Sequence, residues 1–206
     1  VTLEDILKLA PVVPVLVIED EAQAAPLARA LMAGGLYALE VTLRTPSALE
    51  SIRRIAGEVE GAIVGAGTIL TEGAREAAAK AGAVFGVSPG LIDGEGMDGP
   101  LPMLPGIATA TELMSGLARG YAQFKLFPAN IVGGVGALKA FASPFPQAVF
   151  CPTGGVTLQN APDYLAQPNC ICVGGSWVAP SDAVRAGDWG RIETLAREAA
   201  GLGKGA

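Results

Sequence analysis

The chain has 206 residues, half of them hydrophobic and only 17% charged, with 14 basic against 20 acidic residues and a net charge of -6. No basic cluster suited to a phosphate backbone occurs, which argues against nucleic acid as a partner, and no apolar stretch reaches the length of a bilayer span. Histidine is absent, which removes His-dependent triads, His-ligated zinc and His general bases and leaves proton transfer to Glu, Asp, Lys, Tyr or water.

The N-terminal stretch VTLEDILKLAPVVPVLVIED opens on an amphipathic turn instead of a basic segment, so it does not read as a signal peptide. From there, short β-branched runs predict strands at 12–18, 38–43, 62–66, 84–87, 102–104, 123–127, 148–151 and 170–173. Ala-rich stretches between them predict helices at 21–33, 46–58, 71–81, 109–118, 134–142 and 160–165, followed by two more at 181–186 and 188–200. Thr45-Pro46 and Thr71 read as helix starts, and Thr109 with Glu112 reads as a capping box. Strands and helices alternate at roughly 20 to 25 residues, the spacing of repeated βα units. The strands are nearly continuous apolar runs, as a parallel sheet covered on both faces requires. Eight units, and no GxGxxG at the first helix, favour a closed (β/α)8 TIM barrel over an open doubly wound sheet. No linker divides the chain, so residues 1–206 are expected to form one domain, with 93–100 as the one loop expected to move. Cys151, Cys170 and Cys172 fall in apolar runs, with Cys170 and Cys172 on one strand face; all three read as small buried thiols in a reduced, cytoplasmic setting.

Lys125 stands apart from the other four lysines. Those lie in helical or tail segments, whereas Lys125 sits inside the apolar run QFKLFPA. An amine held out of water favours its neutral form, and a neutral amine is what imine formation with a carbonyl requires. The alternative is a strand-end lysine that reaches solvent along its stem.

Barrel active sites lie at the carboxyl ends of the strands, and polar residues gather there. Glu40, Thr42 and Arg44 alternate onto one face of the second strand. Glu40 is the one carboxylate within a predicted strand, and an outward position would leave it unpaired against a covering helix, so it is expected to point inward toward a lysine. Arg44, about 13 Å further along the strand, lies near the mouth and can take a carboxylate bidentately. Thr68 follows the glycines of VGAGT, which allow close backbone approach, and offers a hydroxyl to an anion. Pro89, in GVSPG, reads either as an apolar wall or as a turn. Gly154 and Gly155 end the seventh strand; Gly174, Gly175 and Ser176 end the eighth. Such paired glycines expose N–H groups, and phosphate commonly binds in barrels at this position near a short helix.

A strand lysine, a strand carboxylate, an arginine beside a threonine and a glycine-lined anion cradle describe a Schiff-base lyase acting on a phosphorylated keto acid. The protonated imine serves as the electron sink, so neither a cofactor nor a metal is expected. A barrel that isomerises or only binds a sugar phosphate is the alternative of a different class, and it needs no imine.

At PVLVIED, LEVTLRTP, IVGAGTIL, GVSPG, PMLPGIATATELM, FKLFPA, FCPTGGV and CVGGSW the sequence resembles the class I 2-keto-3-deoxy-6-phosphogluconate and keto-hydroxyglutarate aldolase family, in the family's order through nearly the whole chain. The resemblance implies a homotrimer of barrels that cleaves the phosphorylated keto-deoxy acid to pyruvate and glyceraldehyde 3-phosphate, as in the Entner–Doudoroff pathway, with the hydroxyglutarate and galactonate analogues as alternative substrates. It implies Lys125 as the imine lysine and Glu40 as the proton shuttle. Arg44 and Thr68 match the carboxylate binders, Pro89 and Phe127 the pocket walls, and Gly154, Gly155 and Ser176 the phosphate site. Two positions depart from the pattern: Asn130 follows FPA where many members carry an acidic or other polar residue, and the first strand reads VLVI where some carry a basic residue. Phosphate selectivity is then expected to rest on backbone donors.

Overall fold

In the computed structural model, which describes residues 2–92 and 98–203, period-two alternation along the strands sets the layers. Strands β1 (Val12–Leu16), β2 (Ala38–Thr42), β7 (Gln123–Leu126) and β8 (Val149–Pro152) send Val12, Leu16, Leu39, Val41, Phe124, Leu126 and Phe150 to an outer core. The helices lie over it: α2 (Ala24–Ala33), α3 (Ala48–Glu58), α5 (Ala110–Ala118) and α9 (Trp189–Ala200) contribute Leu27, Leu31, Ile52, Ile55, Leu113 and Ile192. A separate inner cluster contains Val13, Ala38, Phe85, Leu104 and Cys151. Its lower end is closed by α1 (Leu3–Leu7), whose Leu3, Ile6 and Leu7 join it. Thr2 and Asp5 close a capping box on that helix. Both sheet faces are therefore buried, as the apolar runs predicted. Among the described residues, no helix is long and apolar enough to cross a membrane.

All described strand pairs are parallel. With β3 (Ile63–Gly67), β4 (Phe85–Val87), β5 (Met103–Leu104), β6 (Gly106–Ile107) and β9 (Val173–Gly175), they form a curled six-stranded sheet, β5-β4-β3-β2-β1-β9, and a three-stranded one, β6-β7-β8. The expected fifth strand is thus two short ones. Pro105 separates them because it has no N–H to donate; its carbonyl accepts the Lys125 N–H at 2.9 Å. Residues 103–104 pair with β4 and 106–107 with β7. At the other seam, isolated parallel bridges join Phe150 to Cys170 and Thr153 to Gly174.

The eighth strand begins at Val173, not at 170. The Cys170 N–H turns back onto the Gln167 carbonyl at 3.0 Å, so period two does not hold across 170–172. Cys170 packs in the outer core and Cys172 in the inner one, which corrects the shared face expected of them. All three cysteines are buried.

The remaining helices, α4 (Glu72–Lys80), α6 (Gly134–Ala142), α7 (Ala161–Leu165) and α8 (Ser181–Ala186), fall where the periodicity places them. Thr71 caps α4. Thr45 does not cap α3: its hydroxyl and that of Ser47 each donate to the Ile18 carbonyl at 2.6 Å, tying the α3 entrance to the end of β1. Residues 93–97 of the loop expected to move lie outside the described residues.

The capping box of α5 generates a prediction. Burial acts to raise the Glu112 pKa, but the N–H groups of Ala108 and Thr109 and the Thr109 hydroxyl outweigh it and hold the carboxyl below its ordinary value. A lowered carboxyl contributes stability above its unfolded pKa and loses it as pH falls through the folded one. Glu112→Ala should cost about 1 kcal/mol at neutral pH, and urea titrations should show the gap to wild type closing below about pH 4. A gap that does not change with pH contradicts the charged cap.

Candidate active site

Lys125 and Glu40 lie on strands that are not neighbours. Lys125 pairs with Gly106 and Cys151, and Glu40 with Val15 and Gly65. Their side chains nevertheless meet inside the curl: Nζ lies 3.4 Å from Oε1, and each residue is only 3% exposed. Lys125 therefore does not reach solvent, and Glu40 points inward as expected. The Lys125 ammonium position also lies 5.2 Å from the centre of the Phe127 ring, two residues along on the same face. An isolated buried charge is costly, and each of these groups supplies the other with a partner.

Two glycines of β3 make room for larger neighbours on the inner face. Gly65 leaves room for the Phe85 ring, which a Cβ would approach to 2.4 Å, and Gly67 leaves room for the Glu40 carboxylate. VGAGT thus serves close packing by side chains, where the sequence suggested close backbone approach. Thr42 is fully buried and donates to the Leu16 carbonyl at 2.8 Å, so it fastens β2 to β1 and does not act with Glu40.

At the mouth, Arg44 Nε donates to Thr68 Oγ1 at 2.9 Å. Thr68 adopts a φ of 59°, a left-handed conformation that few non-glycine residues take. A cavity of about 250 Å³ brings Arg44 together with Phe127, Gly154, Gly155 and Ser176, and with Val15, Val17, Thr153, Val156 and Gly174. Five of the residues expected from the sequence therefore share one space. Pro89 is not among them. It lines a larger cavity of about 510 Å³ with Ile69, Leu70, Thr71, Glu72, Gly90, Leu91 and Ile92, and a Cβ at Gly106, the strand partner of Lys125, would lie 2.2 Å from its carbonyl. The smaller cavity is the candidate site because Phe127, which carries the lysine contact, and Arg44 both face it.

Gly154 and Gly155 have φ of 98° and 70°, so the turn after β8 demands glycine at both. The glycine pairs do not sit at helix starts, as expected of a phosphate cradle. Helix α7 begins at Ala161, and α8 begins at Ser181 behind Pro180. What the cavity offers an anion is therefore the backbone of the turn after β8 and the Ser176 hydroxyl beyond β9. Sequence reasoning missed Thr153, Val15, Val17 and Val156. Thr153 stands within CPTGG, and its hydroxyl lies where a Cβ on Gly174 would collide at 2.2 Å.

The chain belongs to the KDPG and KHG aldolase family, whose family model matches residues 3–195. It is 51% identical to the KHG/KDPG aldolase of Escherichia coli strain K12, over 95% of this chain and 93% of that one. Among solved structures, it is similar to the 2-keto-3-deoxy-6-phosphogluconate aldolase of Zymomonas mobilis ZM4 with 3-phosphoglycerate, at 50% identity and a TM-score of 0.92 over 97% of this chain and 95% of that one. It is also similar to the KDPG aldolase of Legionella pneumophila with pyruvate captured at low pH as a covalent carbinolamine intermediate, at 42% identity and a TM-score of 0.93 over 96% and 97% of the two chains.

The cavity turn can be tested directly. A Cβ at Gly155 would meet the Asn130 amide carbon at 2.2 Å, and its φ disfavours any other residue. Gly155→Ala should lower stability in urea by about 1–3 kcal/mol; an unchanged midpoint contradicts the described turn.

Proposed function

We propose that this chain is a class I aldolase that cleaves 2-dehydro-3-deoxy-6-phosphogluconate to pyruvate and glyceraldehyde 3-phosphate through an imine on Lys125. The observation that carries this reading is the buried contact of Lys125 with Glu40 at 3.4 Å. The covalent carbinolamine held by the Legionella relative supports the same chemistry.

Neutral Lys125 Nζ adds to the C2 carbonyl of the keto acid. Glu40, directly or through a water, moves the protons that turn the carbinolamine into a protonated imine with loss of water. Glu40 then accepts the C4 hydroxyl proton. The C3–C4 bond breaks, its electron pair moves through C2 to the iminium nitrogen, and the aldehyde departs. Protonation of the enamine at C3 and hydrolysis of the imine release pyruvate and restore the amine. Arg44 and Thr68 hold the C1 carboxylate at the mouth. Phe127 walls the pocket, and Gly154, Gly155 and Ser176 take the phosphate through N–H groups and a hydroxyl.

The family description names both KDPG and KHG substrates, so 4-hydroxy-2-oxoglutarate is the second reading within the same chemistry, with the galactonate epimer beside it. We further infer a single-domain (β/α)8 barrel. The division of 103–107 between β4 and β7, and the bridges from β8 to Cys170 and Gly174, support closure at both seams. A cytoplasmic homotrimer completes the proposal, supported by family membership and tested by sedimentation at the mass of three chains.

Borohydride added with pyruvate should inactivate the enzyme and leave a reduced pyruvyl mass on Lys125; no adduct, or one on Lys139, sinks the imine assignment. Lys125→Met should abolish cleavage while the cooperative thermal transition persists. Glu40→Gln should slow turnover by roughly two to four orders of magnitude, and a wild-type rate would remove Glu40 from the mechanism.

A further inference from the structure

The Glu40 oxygen that faces Lys125 occupies space that exists only because residue 67 is glycine. An ideal Cβ on Gly67 would lie 2.0 Å from Glu40 Oε1 and 2.7 Å from both Cδ and Cγ, far inside van der Waals contact. Oε1 is also the atom 3.4 Å from Lys125 Nζ. We propose that Gly67 is a positioning residue for the cleavage reaction: its missing side chain is the seat of the Glu40 carboxylate and fixes that carboxylate's reach to the amine. This rests on the reading of Glu40 as the proton shuttle.

The backbone at Gly67 has little freedom to move aside. Gly67 is in register with Thr42 of β2, and its carbonyl accepts the Leu43 N–H at 2.8 Å. Its φ lies outside the left-handed region that only glycine tolerates, since Gly67 is not among the described residues with positive φ, so a methyl group is compatible with the main chain. The collision falls on Oε1, Cδ and Cγ of Glu40, all of which rotation about the Cα–Cβ bond can carry away while the sheet stays intact. Gly65, on the same face, differs. A Cβ there meets three atoms of the Phe85 ring between 2.4 and 2.5 Å, and a rigid ring in a packed interior cannot swing away. The two glycines therefore separate by function: Gly65 serves packing, and Gly67 serves the geometry of the proton shuttle.

The test is a cycle of Gly67→Ala and Glu40→Gln, read by steady-state cleavage, by exchange of the pyruvate methyl protons in D2O, and by thermal unfolding. Gly67→Ala should lower kcat and methyl exchange together by about 10²-fold, the scale of a misplacement near 1 Å. KM should change far less, and the unfolding midpoint should stay near that of wild type, whereas Gly65→Ala should lower it. On the Glu40→Gln background, Gly67→Ala should cost less than about twofold, because a residue that acts through another has nothing left to position. Wild-type exchange by a folded Gly67→Ala enzyme overturns the proposal, as do losses that multiply in the double variant or a Gly67→Ala chain that no longer unfolds cooperatively. A Glu40→Gln enzyme at the wild-type rate contradicts the reading of Glu40 itself and takes this proposal with it. A slow Glu40→Gln enzyme beside a fast Gly67→Ala enzyme overturns the positioning role alone.

Discussion

Two ionisable side chains, Lys125 and Glu40, are held at 3% exposure within 3.4 Å of each other, and the rest of the site follows from keeping them there. Removing either one leaves the other unpaired in an apolar interior, which is among the costlier defects a core can carry. The protein meets that constraint with strands that do not touch: β2 supplies the carboxylate and β7 the amine, so the pair depends on the sheet curling until the two face each other. Helix α1 closes the interior from below with Leu3, Ile6 and Leu7, and solvent approaches from the mouth, where Arg44, Thr68 and the β8 turn stand.

Small residues do much of the positioning. Gly65, Gly67, Gly106 and Gly174 each vacate space claimed by a larger neighbour: Phe85, Glu40, the Pro89 backbone and Thr153. The scarcity of aromatic residues, at 5%, fits this arrangement: Gly65 receives the Phe85 ring, and Phe124 and Phe141 each pack against Phe150. The two left-handed glycines after β8 act differently. They turn the backbone itself toward the cavity that Phe127 and Arg44 share.

The sequence made Lys125 and Glu40 legible because each is chemically out of place, one a lysine and the other a carboxylate inside an apolar strand. The helices from α2 onward were legible from periodicity, and the Thr71 and Thr109 caps from local sequence, since local hydrogen bonding determines both, whereas the short α1 (Leu3–Leu7) was not foreseen. What depended on contacts between distant strands was not. Pro105 divides the fifth strand between two neighbours, which becomes visible only once β4 and β7 are known to flank it. Thr45 carries the pattern of a cap, but the Ile18 carbonyl lies within reach of its hydroxyl. Val15, Val17 and Thr153 line the cavity while looking like ordinary strand residues. The glycines of VGAGT were noticed, yet what fills the space beside each one could be read only from the registers of β2 and β4 on β3.

Covalent chemistry at Lys125 with Glu40 as its proton partner is open to observation in a crystal structure of the pyruvate-soaked, borohydride-reduced enzyme. That structure should show continuous density from Lys125 Nζ to C2 of the ligand, the Glu40 carboxylate within hydrogen-bond reach of the new bond, and the ligand carboxylate against Arg44 and Thr68. Pyruvate bound without a bond to Nζ, or seated in the larger cavity beside Leu70 and Leu91, would contradict that chemistry.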